Sequence, residues 1–194
     1  MTAHPPTTVW GGLDLLERAV GYTRGSLQLV TADLMSAPTP CPAWDLRTLL
    51  DHMNDSLQAL EEAAAVRRVW VGVTADPAVD PVAALRDRAC RLLAAMSRGR
   101  GDADVSVGGR PLTQRVLFCA GALEIVGHGW DVAVACGVRR TVPAALADGL
   151  LRVADVLVTD ADRPTRFAAP VPVAPSAPPG DRLVAFLGRA PSTA

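Results

Sequence analysis

A run of 23 residues, Val116–Val138, is almost wholly apolar yet carries Glu124, His128 and Asp131 near its middle. A segment of that character must be buried, either in protein or in lipid. It is long enough to span a bilayer. Three ionisable groups at its centre would each cost roughly 2.5 kcal/mol or more there, and its several glycines suit close packing between helices. The expectation is the core helix of a soluble protein.

Glu124 and His128 are four residues apart, just over one helical turn, so carboxylate and imidazole project from the same face. Burying such a pair is costly unless something compensates it. The cheapest compensation is a divalent metal ion, which takes a deprotonated carboxylate and a neutral imidazole. Taken alone, the pair reads equally well as a hydrogen-bonded couple facing a polar cavity. His52, in the helical pattern Asp45–Leu60, is available as a third ligand. By itself, on a face with Thr48, Asp55 and Ser56, it reads as a half-exposed polar residue. Asp131 lies one further turn along the stripe, placed to orient a ligand or accept a proton rather than to act as a fourth ligand. Trp130 points elsewhere on the wheel, and Trp44 and Trp130 are read as core anchors.

At 194 residues the chain suits one domain, or one with a small appendage, and 49% hydrophobic content argues against disorder. A net charge of −1 makes no electrostatic case for a nucleic-acid partner. All 19 basic residues are Arg, a mark of GC-rich coding that points to an actinobacterial source. The opening MTAHPPTTVWGG shows no signal peptide, and its His4 has no expected role. Cysteines stand at 41, 90, 119 and 136, spacings that match no zinc ribbon or C-x-x-C motif. Each is expected to be reduced and to serve as a small buried apolar residue. Cys41, between prolines, braces a turn, while Cys119 and Cys136 lie off the ligand face.

Four helical patterns are legible. Gly12–Leu34 carries Leu13, Leu16, Val20, Leu27 and Val30 at helical spacing. After the Pro-rich turn Ala37–Pro42, Asp45 is a plausible N-cap for a helix running past His52 towards Ala65. Pro81–Ser97 starts on a proline suited to a first helical position. A loop with Gly99, Gly101, Gly108 and Gly109 follows, with a short extended piece at Val105–Val107, and then the apolar helix. Pro143–Thr159 is one more amphipathic helix, Phe167–Pro179 an extended Pro- and Ala-rich surface segment, and Asp181–Leu187 a short terminal helix. The architecture is all-α: an up-and-down four-helix bundle over residues 1–165, then a Pro-rich wrapping tail with a short helix over 166–194.

Thr39–His52, TPCPAWDLRTLLDH, resembles the "T-x-C-x-x-W-x-(V/L)-(R/K)-x-L-(hydrophobic)-x-H" signature of the DinB/YfiT-like metal-binding superfamily. Leu123–Gly137, LEIVGHGWDVAVACG, is similar to the "E-x-x-x-H-G-W-D-x-A-x-x-x-G" helix of its actinobacterial branch, which includes mycothiol-dependent maleylpyruvate isomerase. Pro170–Pro191, PVPVAPSAPPGDRLVAFLGRAP, resembles the closing segment of a stand-alone metal-binding subfamily. The match runs in register over most of the chain.

The resemblance implies a DinB-like four-helix bundle holding a divalent metal, often zinc, with nickel and manganese as further choices. The branch's His, Glu and His ligands fall on His52, Glu124 and His128. It also implies mycothiol, the actinobacterial low-molecular-weight thiol, as cosubstrate in a transferase or isomerase acting on a small electrophile. Asp131 would then be a supporting or proton-accepting residue. No residue is assigned to the thiol; Arg110 and Arg115 are merely near in the chain. Maleylpyruvate isomerase has an additional C-terminal domain, so its substrate does not transfer. Gly127 stands where the family prefers a larger apolar residue, and Cys136 where it has Thr. The competing readings are a metal that only stabilises or senses, or a metal-hydroxide hydrolase of specialised metabolism. Either way the setting is cytoplasmic, the protein a monomer or homodimer, the partners small molecules rather than nucleic acid or membrane.

Overall fold

The computed structural model describes residues 11–72, 74, 78–98, 103–163 and 166–191. Among them, six α-helices follow in chain order: α1 (Gly12–Ser26), α2 (Leu46–Val66), α3 (Pro81–Arg98), α4 (Gln114–Ala135), α5 (Ala144–Leu157) and α6 (Pro179–Phe186). Helix α1 packs mainly along α4 and α2 packs between α3 and α4, which makes the bundle, while α5 sits on α4 and α1 and carries α6. Leucines on the inward stripes supply the core: Leu15 and Leu16, Leu46, Leu49 and Leu50, Leu85 and Leu92, with Met53 and Ile125, all almost without exposure. The expected all-α bundle with an extra C-terminal helix and Pro-rich tail is what the chain forms.

One element exceeds that expectation, a small three-stranded sheet of β1 (Arg68–Val69), β2 (Asp104–Val107) and β3 (Arg110–Thr113). Gly108 and Gly109 both take positive φ, 55° and 83°, which lets a two-residue turn fold β3 back antiparallel on β2. Strand β1 pairs parallel to β2, with Arg68 opposite Ser106. Val105, fully buried, seats the hairpin on the bundle. Gly99, Gly101 and His4 lie outside the described residues.

Helix boundaries follow local chemistry. Asp45 caps α2 as expected, its Oδ1 accepting from Thr48 N–H at 2.8 Å. Thr113 Oγ1 accepts from Val116 N–H and starts α4 two residues before the apolar run. That helix ends on Gly137 (φ 71°), where Gly137 N–H bonds Val134 C=O and Val138 N–H bonds Ala133 C=O, a Schellman closure. The expected first helix is shorter than its apolar spacing suggested. It stops at Ser26, where Leu29 N–H turns back to Ser26 C=O and Arg86 of α3 donates to Leu27 C=O, and the chain resumes as a 3-10 turn at Ala32–Leu34. Tertiary partners outbid the helical continuation.

Helix α4 is the only described helix long and apolar enough to cross a membrane, and most of its apolar window is buried inside this molecule. Its glycines explain how. At Gly129 a Cβ would collide with Thr23 Oγ1 and stand 3.2 Å from Thr23 Cα, so α1 and α4 touch nearly backbone to backbone. There Thr23 Oγ1 donates to Ile125 C=O at 2.7 Å. At Gly127 a Cβ would meet Leu187 Cδ1 at 3.5 Å and Arg189 Nη2 at 3.6 Å, ordinary contact distances. The two glycines therefore predict opposite outcomes. Gly129→Ala should lower stability by about 1–3 kcal/mol through overpacking. Gly127→Ala should hold or gain about 0.5–1 kcal/mol through helix propensity. Urea unfolding of the two variants beside wild type reads the difference, and equal losses would contradict this packing.

Candidate metal centre

Helices α2 and α4 cross with His52 on one and Glu124 and His128 on the other. Because α2 turns Leu46, Leu49, Leu50 and Met53 into the core, the flank bearing His52 and Ser56 faces the gap beside α4. His52 Nε2 lies 2.7 Å from Glu124 Oε1, and His128 Nε2 lies 3.1 Å from the same oxygen. Ser56 Oγ donates to that oxygen at 3.3 Å. One ligand atom from each of His52, Glu124 and His128 falls within 4.8 Å of the others. Exposure is graded, 35% and 30% for the side chains of His52 and Glu124 but 9% for His128, so the group opens to one side only.

Behind His128 stands Asp131, with no exposed surface. Its Oδ2 lies 3.0 Å from His128 Nδ1 and accepts from Arg189 Nη2 at 2.7 Å, while Oδ1 accepts from Arg189 Nε at 3.1 Å. A two-point guanidinium–carboxylate fork of this kind is the strong geometry for a buried pair. Asp131 is thereby saturated and screened from solvent. The arrangement favours orientation of His128 over acceptance of a substrate proton.

The proton bookkeeping tests whether these residues suit a divalent cation. A carboxylate only accepts, so Nδ1 of His128 carries the proton shared with Asp131. In neutral His128 the lone pair then sits on Nε2, facing the Glu124 carboxylate. Two such electron-rich atoms 3.1 Å apart call for a positive centre, either a second proton on the ring or a cation among the donors. Burial opposes the charged imidazole, yet hydrogen bonds to Asp131 and Glu124 outweigh it and hold the His128 pKa well above its ordinary value. Burial likewise pushes Glu124 up, but the two histidines more than reverse this and keep it far below the usual carboxylate range. Burial raises Asp131 too, and its bonds to His128 and Arg189 bring it below the ordinary value. Two imidazoles and a carboxylate, one imidazole fixed by a carboxylate behind it, fit zinc, nickel or manganese.

Several residues differ from their expected places. Trp44 packs against the core but is only half-buried, because its other side lies at the cavity wall, its ring centroid 4.6 Å from that of His52 and 5.9 Å from that of His128. Trp130 is buried away from the donors, beside Val134 and Arg139. Cys41 does sit in a turn, with Thr39 Oγ1 accepting from its N–H at 3.1 Å. Its thiol also points inward and donates to Asp131 Oδ2 at 3.7 Å, and Cys41, His128 and Asp131 form a second close group of ligand-type atoms. Cys119 is buried as expected, Cys136 only half so, and Cys90 is exposed because it falls on the outer face of α3. Arg110 and Arg115 are exposed and do not line the cavity beside the donors; Arg166 and Arg189 do. Nothing in helical spacing could find Arg189, 58 residues beyond its partner and past the Pro-rich stretch. Only the resemblance of the closing segment marked that region at all.

A helical bundle carrying a His–Glu–His donor set between two helices defines the class. Residues 16–133 match the mycothiol maleylpyruvate isomerase N-terminal domain, and the chain belongs to that family. The matched span contains His52, Glu124, His128 and Asp131 but stops short of Arg189. Two uncharacterized proteins, from two strains of Mycobacterium tuberculosis, are 28% identical over 181 residues, covering 89% of this chain and 94% of each relative. No solved structure matches the chain.

Asp131→Asn should cost about 3–5 kcal/mol near neutral pH, because it leaves the buried Arg189 charge unpaired. The folded-state pKa of Asp131 is depressed, so its contribution is present above the ordinary carboxylate range and is lost as pH falls through the depressed value. Urea midpoints of wild type and Asp131→Asn should therefore differ at neutral pH, begin to approach each other only below about pH 4, and meet below the depressed value. A gap that stays constant into acid would refute the assignment.

Proposed function

We propose that this protein is a metal-dependent enzyme that joins a low-molecular-weight thiol, mycothiol in the actinobacterial setting, to a small electrophile as a transferase or isomerase. The observation that carries the proposal is the position of the donors. His52, Glu124 and His128 lie at the wall of a cavity of about 860 Å³, within the range that holds small-molecule substrates. A metal held only for structure has a closed shell of protein ligands and no need of a cavity beside it. Three ligands with an adjoining cavity favour the catalytic alternative.

A divalent cation held by these residues would stabilise a thiolate over a thiol and polarise a substrate carbonyl. The chain supplies the rest. Asp131 fixes the His128 ring so that Nε2 faces the donors, and Arg189 holds Asp131 charged. Ser56 adds a donor to Glu124 and orients its carboxylate. Trp44 covers both imidazoles on one side and keeps water from that face, while the cavity side stays open to thiol and electrophile. The proposed setting is cytoplasmic, and both partners are small molecules.

Metal content measured by inductively coupled plasma mass spectrometry on untagged, chelator-free protein tests the root of the proposal. Wild type should carry about one equivalent, with little in His52→Ala or Glu124→Ala, as expected when one of three ligands is removed. Metal-loaded wild type should then speed addition of mycothiol to an electrophile, and the two variants should not. Wild type that stays metal-free after zinc, nickel or manganese is supplied would overturn the reading.

A further inference from the structure

The cavity wall beyond the donors is hydrocarbon. Leu60 and Leu123 from α2 and α4, Leu117 about two turns before Glu124, Leu157 at the end of α5, and Phe167 and Leu187 from the tail all line it. Leu60, Leu123 and Leu187 are almost wholly buried, so this wall is set by the core and not by loose surface side chains. Water against such a wall is displaced with gain by any hydrocarbon that fits.

The charges on the same wall are already committed. Arg189 gives Nε and Nη2 to Asp131 and Nη1 to Leu187 C=O at 2.9 Å. Arg166, largely exposed, pairs with Asp162 at 3.5 Å. Among the described residues lining the cavity, each guanidinium therefore has a carboxylate partner of its own. Taking Arg189 from Asp131 would break a buried fork, which is costly, while the exposed Arg166 pair contributes little; away from the donor end the leucine wall itself offers a carboxylate no partner. Polar groups otherwise gather at the donor end, where Ser56, His52 and Glu124 stand.

We infer that the electrophile this cavity takes is an uncharged molecule with a hydrocarbon body, its reactive carbon at the His52–Glu124–His128 end and its chain along the leucine wall. The inference rests on the proposed thiol chemistry only for the reactive carbon. The affinity for hydrocarbon rests on the cavity alone.

Straight-chain primary alcohols from butanol to octanol, unreactive and uncharged, separate the two parts when titrated calorimetrically into metal-loaded and into chelator-treated full-length protein. Affinity should rise about three- to fourfold for each added methylene until the cavity is filled, the ratio expected for burying one methylene. Maleate should show no saturable binding to the chelator-treated protein, where no cation is present to take a carboxylate. Leu117→Asn and Leu157→Asn, polar changes at two half-buried wall positions on different helices, should each weaken octanol at least tenfold with unchanged helical circular dichroism. A chain-length series that is flat, or maleate binding the chelator-treated protein more tightly than octanol, overturns the inference. If the series appears in protein that takes up no metal, the thiol chemistry falls while the hydrocarbon site stands. A metal-loaded protein with a flat series gives the reverse result.

Discussion

Asp131 is a carboxylate with no solvent exposure, placed on the most apolar helix of the chain, and much of the molecule is arranged around keeping it charged. Burying a lone carboxylate costs several kcal/mol. Here the cost is met from two sides, by the His128 ring N–H and by Nε and Nη2 along one edge of the Arg189 guanidinium. The same pair fastens the tail, since Arg189 follows directly on α6 and the buried Leu187. One interaction thus sets the tautomer of a metal-type ligand and ties down the end of the fold. Removing either partner should disturb both at once.

Helix α4 is where structural and chemical demands meet. Gly129 brings α1 within backbone contact on one side, and the tail packs on another, so most of this helix is covered. Covered in this way, His128 lies in surroundings of low polarity, where its contacts are strengthened, while Glu124 stays partly exposed at the cavity edge. The opening that remains is lined by leucines and edged by Trp44. The donors therefore sit at a boundary between an apolar cavity and a buried polar network. That boundary would suit the proposed reaction between a polar thiol and an apolar electrophile.

Much of this was legible in the chain. The four-residue spacing of Glu124 and His128 in an apolar run, the cap at Asp45, and the motifs around His52 and His128 led to the bundle, its helices and the family. The spacing argument could say that Asp131 shared a stripe with the donors, and it does contact His128. What failed did so for identifiable reasons. Helix α1 ended early because Arg86 takes a carbonyl that its periodicity could not foresee. Trp44 packs on the core, but its contact with two imidazoles at the cavity wall joins elements that spacing does not bring together. The sheet was reduced to a short extended piece because two-residue and four-residue strands carry almost no periodic signal, even though the Gly108–Gly109 pair marked the turn.

Local chemistry in the sequence determined which segments are helical, where most begin and end, and that Glu124 and His128 share one helix face. These depend on interactions within one or two turns, the range over which spacing and capping carry information. Only the tertiary structure decided that His52 reaches Glu124 across 72 positions, that Cys41 and Arg189 both touch Asp131, and that a leucine-walled cavity opens beside the donors. Those features arise where separate elements meet. Their geometry follows from how closely helices pack, to which Gly129 and Thr23 contribute through a contact that no single segment contains.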